Sequence, residues 1–257
     1  MKTTGNTILI TGGGSGIGRG LAEAFHKLGN KVIIAGRRKQ ALDETVDANP
    51  GMASAILNIE DAASIRAFAQ KVIADLPALN VVINNAGIMR PENLLTQSSD
   101  VADAEATITT NLLGPIRLTA ALLPHFLKQP YATIMTVSSG LAFIPMALTP
   151  TYNATKAAIH SYTQALRYQL KSTNVEVIEL IPPYVQTELM GSRQAADPRA
   201  MPLNDYLAEV IELIKTQPNA TEILVERVKP LRFAEQNGKE KYDAFFQQFN
   251  DAMMAPH

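Results

Sequence analysis

The chain alternates two hydrophobic rhythms. Short apolar or β-branched runs of strand length fall at Thr7–Ile10, Lys31–Ala35, Ala53–Leu57, Leu79–Ile83, Ala132–Val137, Val175–Ile181 and Ile223–Glu226. Between them lie segments with helical spacing, such as Leu21, Phe25 and Leu28 on one face before a stop at Gly29. A helix from Arg38 ends at Asn49-Pro50, since proline disfavours helical backbone before it. Asp61 is placed to cap a helix running to about Leu76. Further helices are expected from about Ser99 to Gln129, bending near Gly114-Pro115, from about Thr151 to Lys171, and from Asn204 to Thr216. Strands alternating with helices read as βαβ units, and unbroken apolar runs read as parallel strands buried on both faces. No linker, repeat or composition break divides residues 1–257, so one α/β domain with a doubly wound parallel sheet of about seven strands is expected.

The first strand runs straight into Thr11-Gly12-Gly13-Gly14-Ser15-Gly16-Ile17-Gly18 and then a helix. Glycines permit a tight turn and close backbone approach to phosphate, and a helix N-terminus attracts its charge. This is the opening of a Rossmann-type dinucleotide site, with Gly12, Ser15, Gly16, Ile17 and Gly18 as cofactor contacts. A register of Gly14, Gly18 and Gly20 is also possible, but Gly12, Gly16 and Gly18 begin directly at the strand end. No Gly-Lys-Ser/Thr follows, which argues against a P-loop nucleotidase. The second strand ends at Gly36-Arg37-Arg38, where an acid would bind a ribose 2′-hydroxyl and an arginine a 2′-phosphate. With no carboxylate set against Arg37 and Arg38, NADP(H) is the expected cofactor and NAD(H) the alternative. Asn58-Ile59 and Asn85-Ala86-Gly87, at later strand tips, complete this dinucleotide-binding half of about residues 1–137.

Residues 138–257 carry the candidate chemistry. Ser138-Ser139-Gly140 sits at the carboxyl end of a strand, the edge where open α/β sheets bind ligands. Tyr152 and Lys156 are four residues apart in a helical pattern and so share a face. A cation beside a phenol lowers its pKa from about 10, making Tyr152 a candidate general acid/base. Asn111, inside a helical pattern, is either a surface residue or kept for a polar contact. The apolar stretch with Leu141, Phe143 and Met146 is core, pocket wall or part of each; Met89, Tyr184, Leu189 and Met190 join it as pocket candidates. Pro182-Pro183-Tyr184-Val185-Gln186-Thr187 closes the sixth strand. Residues 188–203 show little period and read as a mobile lid. In the tail at 238–254, Tyr242, Phe245, Phe246 and Phe249 make an aromatic helical stripe that packs on its own body or on a partner subunit.

Composition narrows the alternatives. Twenty-three basic residues against 24 acidic ones give a net charge of −1, with no basic excess for nucleic acid or an anionic membrane. The absence of cysteine excludes thiol chemistry and disulfides, and His26, His125, His160 and His257 show no ligand spacing, so no metal is expected. No apolar run approaches membrane-spanning length, and the default location is cytoplasmic.

Taken together, Thr11-Gly12-x3-Gly16-x-Gly18, Asn84-Asn85-Ala86-Gly87, Asn111, Ser139 and Tyr152-x3-Lys156 resemble the short-chain dehydrogenases/reductases over roughly residues 6–190. Ser-Gly-Leu-Ala-Phe at 139–143, Val175–Pro183 and Glu226–Arg232 look nearest to a bacterial, DltE-like branch found around lipoteichoic-acid D-alanylation genes. The resemblance implies an NAD(P)(H)-dependent carbonyl reductase or alcohol dehydrogenase with an Asn111-Ser139-Tyr152-Lys156 tetrad. Ser139 would bind the substrate oxygen, Lys156 would also bind the nicotinamide ribose, and Asn111 would hold a water leading to solvent. Val185 and Thr187 would hold the nicotinamide carboxamide, and a homodimer or homotetramer is implied. The alternative is an NADP(H)-sensing binding protein on the same fold, with little or no turnover. Two positions depart from the family pattern: Pro183 replaces a glycine, and Asn58 replaces an adenine-side Asp.

Overall fold

Seven parallel strands form one sheet in the computed structural model of the chain, which describes residues 1–96 and 101–254. They are β1 (Thr7–Thr11), β2 (Lys31–Gly36), β3 (Ala53–Ile56), β4 (Leu79–Asn84), β5 (Ala132–Val137), β6 (Val175–Leu180) and β7 (Glu222–Ile223). The helices are α1 (Gly16–Lys27), α2 (Lys39–Asp47), α3 (Ala62–Asp75), α4 (Ala102–Ile108), α5 (Gly114–Phe126), α6 (Pro150–Leu170), α7 (Ser192–Ala196), α8 (Leu203–Thr216), α9 (Lys229–Arg232) and α10 (Lys239–Met254). The strand order is β3-β2-β1-β4-β5-β6-β7, so the winding reverses between β1 and β4. That reversal opens a crevice at the carboxyl ends of the strands.

Period-two alternation builds two cores. Ile8 and Ile10 pack with Phe25, Val81, Ile83, Tyr206 and Val210 on one face, whereas Leu9 packs with Ile33, Val82, Leu118, Phe126 and Ile134 on the other. β1 is buried at every position, as a strand covered on both faces must be. Asp61 caps α3 as expected, its carboxylate accepting from Ala63 N at 2.8 Å.

Two elements differ from the expectation, the bend in the long helix and the end of the last strand. The helix start near Ser99 lies outside the described residues, and α4 is found from Ala102. The bend before Pro115 is a π-helical turn, Thr109–Leu113, which leaves a backbone carbonyl free of the normal ladder. The last strand stops at Ile223, and Glu226–Val228 forms a 3₁₀ turn because Pro230 presets helical backbone for α9. Residues 188–203 contain α7, and near their end Met201 O accepts from Gln186 N while Met201 N donates to Tyr184 O. The aromatic tail forms α10 and docks on its own body. Tyr242 Oη donates to Phe143 O at 3.1 Å, and the buried Asn250 bonds Ala147 N and Pro145 O. Among the described residues no helix is long and apolar enough to cross a membrane.

Candidate active site

A cleft of about 680 Å³ follows the strand ends from Arg37 and Arg38, past Gly12 and Gly16, to Ser139, Tyr152 and Lys156. Its floor is the glycine turn. Gly12 and Gly16 have φ of 68° and 52°, and a Cβ on Gly18 would stand 2.3 Å from Gly12 O and 2.4 Å from Asn85 Nδ2. A Cβ on Gly14 or Gly20 would meet Ala41 or Leu207, and Gly14 lines the cleft together with Gly12, Gly16 and Gly18. At the start of α1, Ser15 makes no side-chain cap and no acid lies in the first turn. The free N–H groups and the positive end of the helix therefore suit a pyrophosphate. The Thr11 hydroxyl accepts from Asn85 N and Ala86 N, tying the Asn-Asn-Ala-Gly loop to the turn.

The adenosine end differs from the sequence expectation at one point: a carboxylate does oppose the arginines. Glu60 pairs with Arg37 at 2.5 Å, and Arg38 instead reaches Ser15 Oγ at 3.0 Å. Glu60 was concealed because it approaches from the β3–α3 loop, a contact that only the fold creates. Ile59 lines the cleft, but Asn58 is exposed outside it and accepts from Glu60 N.

At the other end, Ser139 stands just beyond β5, and Tyr152 and Lys156 lie in the first turns of α6. Glu92 fixes this helix end, accepting from Thr151 N at 2.9 Å and Thr151 Oγ1 at 2.8 Å. All three groups are buried. Burial pushes Tyr152 up to about 12, with a Ser139 hydrogen bond pulling the other way. The lowered phenol pKa expected from Lys156 is not found: desolvation raises it, and the opposing pull comes from Ser139. Lys156 Nζ lies 5.5 Å from the Tyr152 ring centre and donates to Val137 O at 2.9 Å. Burial lowers Lys156 to about 8, while Glu179 pushes it back up.

Asn111 is buried in the π-helical turn, but its amide is spent on the Ile88 backbone and Thr155 Oγ1. Pro182, Val185 and Thr187 line the cleft, as does Gly87. The Gln194 side chain on α7 ties Val185 O and Thr187 Oγ1, at 2.9 and 3.0 Å. Nothing in its polar surroundings in the sequence singled Gln194 out.

Of the expected pocket residues, Met89 and Leu189 line the cleft. The others are placed elsewhere. Leu141 sits in the 3₁₀ turn capped by Ser139 Oγ, and Phe143 packs between His160 and Arg232. Met146 is buried beside Asn153, Tyr184 bonds Asp197, and Met190 N bonds Gln194.

A phosphate cradle and a buried Ser-Tyr-Lys set in one cleft define a dinucleotide-dependent oxidoreductase fold. The family profile described as short chain dehydrogenase matches residues 6–198, and the chain belongs to that family. It is 39% identical over 253 residues to the oxidoreductase DltE of Bacillus subtilis (strain 168), covering 97% of this chain and 98% of the relative, in keeping with the DltE-like branch. A short chain dehydrogenase from Burkholderia cenocepacia J2315, solved with NADP, has the same fold, with TM-score 0.79, 22% identity and 100% of both chains covered. The 3-ketoacyl-(acyl-carrier-protein) reductase from Brucella melitensis, solved with NADH, gives TM-score 0.77 and 25% identity over 88% of this chain and 100% of that one.

Proposed function

We propose that the protein is an NADP(H)-preferring carbonyl reductase or alcohol dehydrogenase that interconverts a ketone and a secondary alcohol. The observation that carries this reading is the burial of Ser139, Tyr152 and Lys156 together in the cleft that begins at the glycine turn. The cradle fits a dinucleotide, with Gly12, Ser15, Gly16, Ile17 and Gly18 at the pyrophosphate, Ile59 and Ala86 flanking the adenosine side, and Pro182, Val185 and Thr187 at the nicotinamide. When bound, the reduced nicotinamide supplies the hydride. Tyr152 donates its phenolic proton to the carbonyl oxygen, so that hydride and proton together make the alcohol. Ser139 Oγ hydrogen-bonds the same oxygen where charge develops. Lys156 holds a positive charge near the phenol and replenishes its proton. Arg38 with Ser15, more than the paired Arg37, recognises a 2′-phosphate. Ile88, Met89 and Leu189 give the substrate end an apolar wall, suited to a small or medium-sized ketone. The proposal includes a cytoplasmic homodimer or homotetramer.

Tyr152→Phe tests the reading. Turnover should fall about 10³-fold while NADPH still binds, because one proton donor is lost and no cofactor contact is. Normal turnover by this variant would remove the acid/base assignment.

A further inference from the structure

β6 carries an acid where its neighbours are apolar. Glu179 stands between Ile178 and Leu180, and it is fully buried. Its carboxylate accepts from Ser138 Oγ at 2.5 Å and from His160 Nδ1 at 2.8 and 3.0 Å. Ser138 precedes Ser139, and His160 lies one helical turn beyond Lys156 on the same face of α6. A residue serving only the core would be apolar here, since a buried ion pair is commonly no more stabilising than a hydrophobic replacement.

Beyond this acid lies a second pair. Arg232 donates to both oxygens of Glu222 at 2.8 and 2.9 Å, and its guanidinium sits 4.6 Å over the Phe143 ring. Ligand atoms of His160, Glu179 and Glu222 lie within 4.8 Å of one another, close enough to suggest a metal site. Arg232 already supplies the cation there, so the cluster is a charge network, complete without a metal.

We propose that Glu179 is a positioning residue for the catalytic end: a fixed buried carboxylate that keeps Lys156 charged beside Tyr152 and anchors Ser138 next to Ser139. This rests on the reading of Tyr152 and Lys156 as the acid/base pair. Among the described residues, the titratable and charged groups around Lys156 and Glu179 are Tyr152 and His160 on α6, Glu222 on β7 and Arg232 on α9. Lys156 Nζ donates to Val137 O at 2.9 Å, and the next residue, Ser138, is the one that Glu179 holds, so ammonium and carboxylate meet at the same end of β5. Burial lowers Lys156 to about 8, and Glu179 opposes that fall.

The decisive variants have opposite signs. Glu179→Gln keeps shape and one acceptor but loses the charge, so Lys156 releases its proton at lower pH. The alkaline limb of the reductase pH profile should then move down by about one unit. Arg232→Met removes the neighbouring cation and should move the limb up. Ser138→Ala keeps the charge and should leave the limb in place while kcat falls a few-fold. Carbon-13 NMR titration of the lysine ε-carbon, with Lys156→Met to assign the signal, reads the same pKa without turnover. If the wild type reduces no carbonyl compound, the enzymatic reading fails, and the NMR shifts still decide the role of Glu179. If Glu179→Gln does not fold, Glu179→Asp takes its place: its shorter, drawn-back carboxylate should lower the Lys156 pKa by less than the loss of charge would. An unmoved Lys156 pKa in the folded variants, or shifts of the same sign in both, would overturn the proposal.

Discussion

The two ends of the cleft use charge in opposite ways. At the adenosine end, Arg37 and Arg38 are exposed, and the Arg37–Glu60 pair is half-open to solvent, with side chains 50% and 30% accessible. At the catalytic end, Tyr152, Lys156 and Glu179 are almost fully enclosed. Exposed charges are screened and interact weakly, whereas buried ones shift pKa values by units. The outer end is therefore suited to selecting a ligand and the inner end to adjusting proton affinity, and substitutions should divide along that line.

The largest effect belongs to the inner end, in the Tyr152→Phe loss given above. Next comes Gly18→Ala, whose new methyl meets backbone and should cost about 1–3 kcal/mol of stability together with NADPH affinity; a melting curve and a binding titration check both. Lys156→Met should abolish reduction yet raise stability by about 1–2 kcal/mol near neutral pH, since a buried cation is removed. The sign follows from the shift. The unfolded chain keeps this proton to about 10.5, but the folded one releases it near 8. Wild-type stability thus rises between those values, and the advantage of the methionine variant fades over the same window. Melting both proteins across that pH range separates this from a plain packing gain. At the outer end, Arg38→Ala should raise the KM for NADPH about tenfold and leave that for NADH unchanged. Arg37→Ala should do less, because Glu60 already holds that guanidinium. Equal losses from both arginines would erase the contrast between them.

Much of this layout was legible in the chain. Strands, glycine turn and the Tyr152-Lys156 pair are local patterns, fixed by period, backbone freedom and helical spacing. The pocket wall was not legible. Phe143 is as apolar as any lining, and only the fold shows its ring held between His160 and Arg232. The roles of Glu60, Glu92 and Glu179 are contacts between distant segments, invisible to spacing. Glu179 alone left a trace, as an acid inside the apolar run Val175–Leu180.

The central claim is hydride exchange with a carbonyl compound, proton supplied by Tyr152. Its most direct measurement follows loss of the reduced-nicotinamide absorbance with NADPH and with NADH against aryl ketones, diketones and keto esters, beside Tyr152→Phe. The wild type should consume cofactor, strongly favouring NADPH, and the variant almost none. Tight NADPH binding by calorimetry with no consumption of either cofactor across the panel would contradict it and point to a sensor of the cofactor.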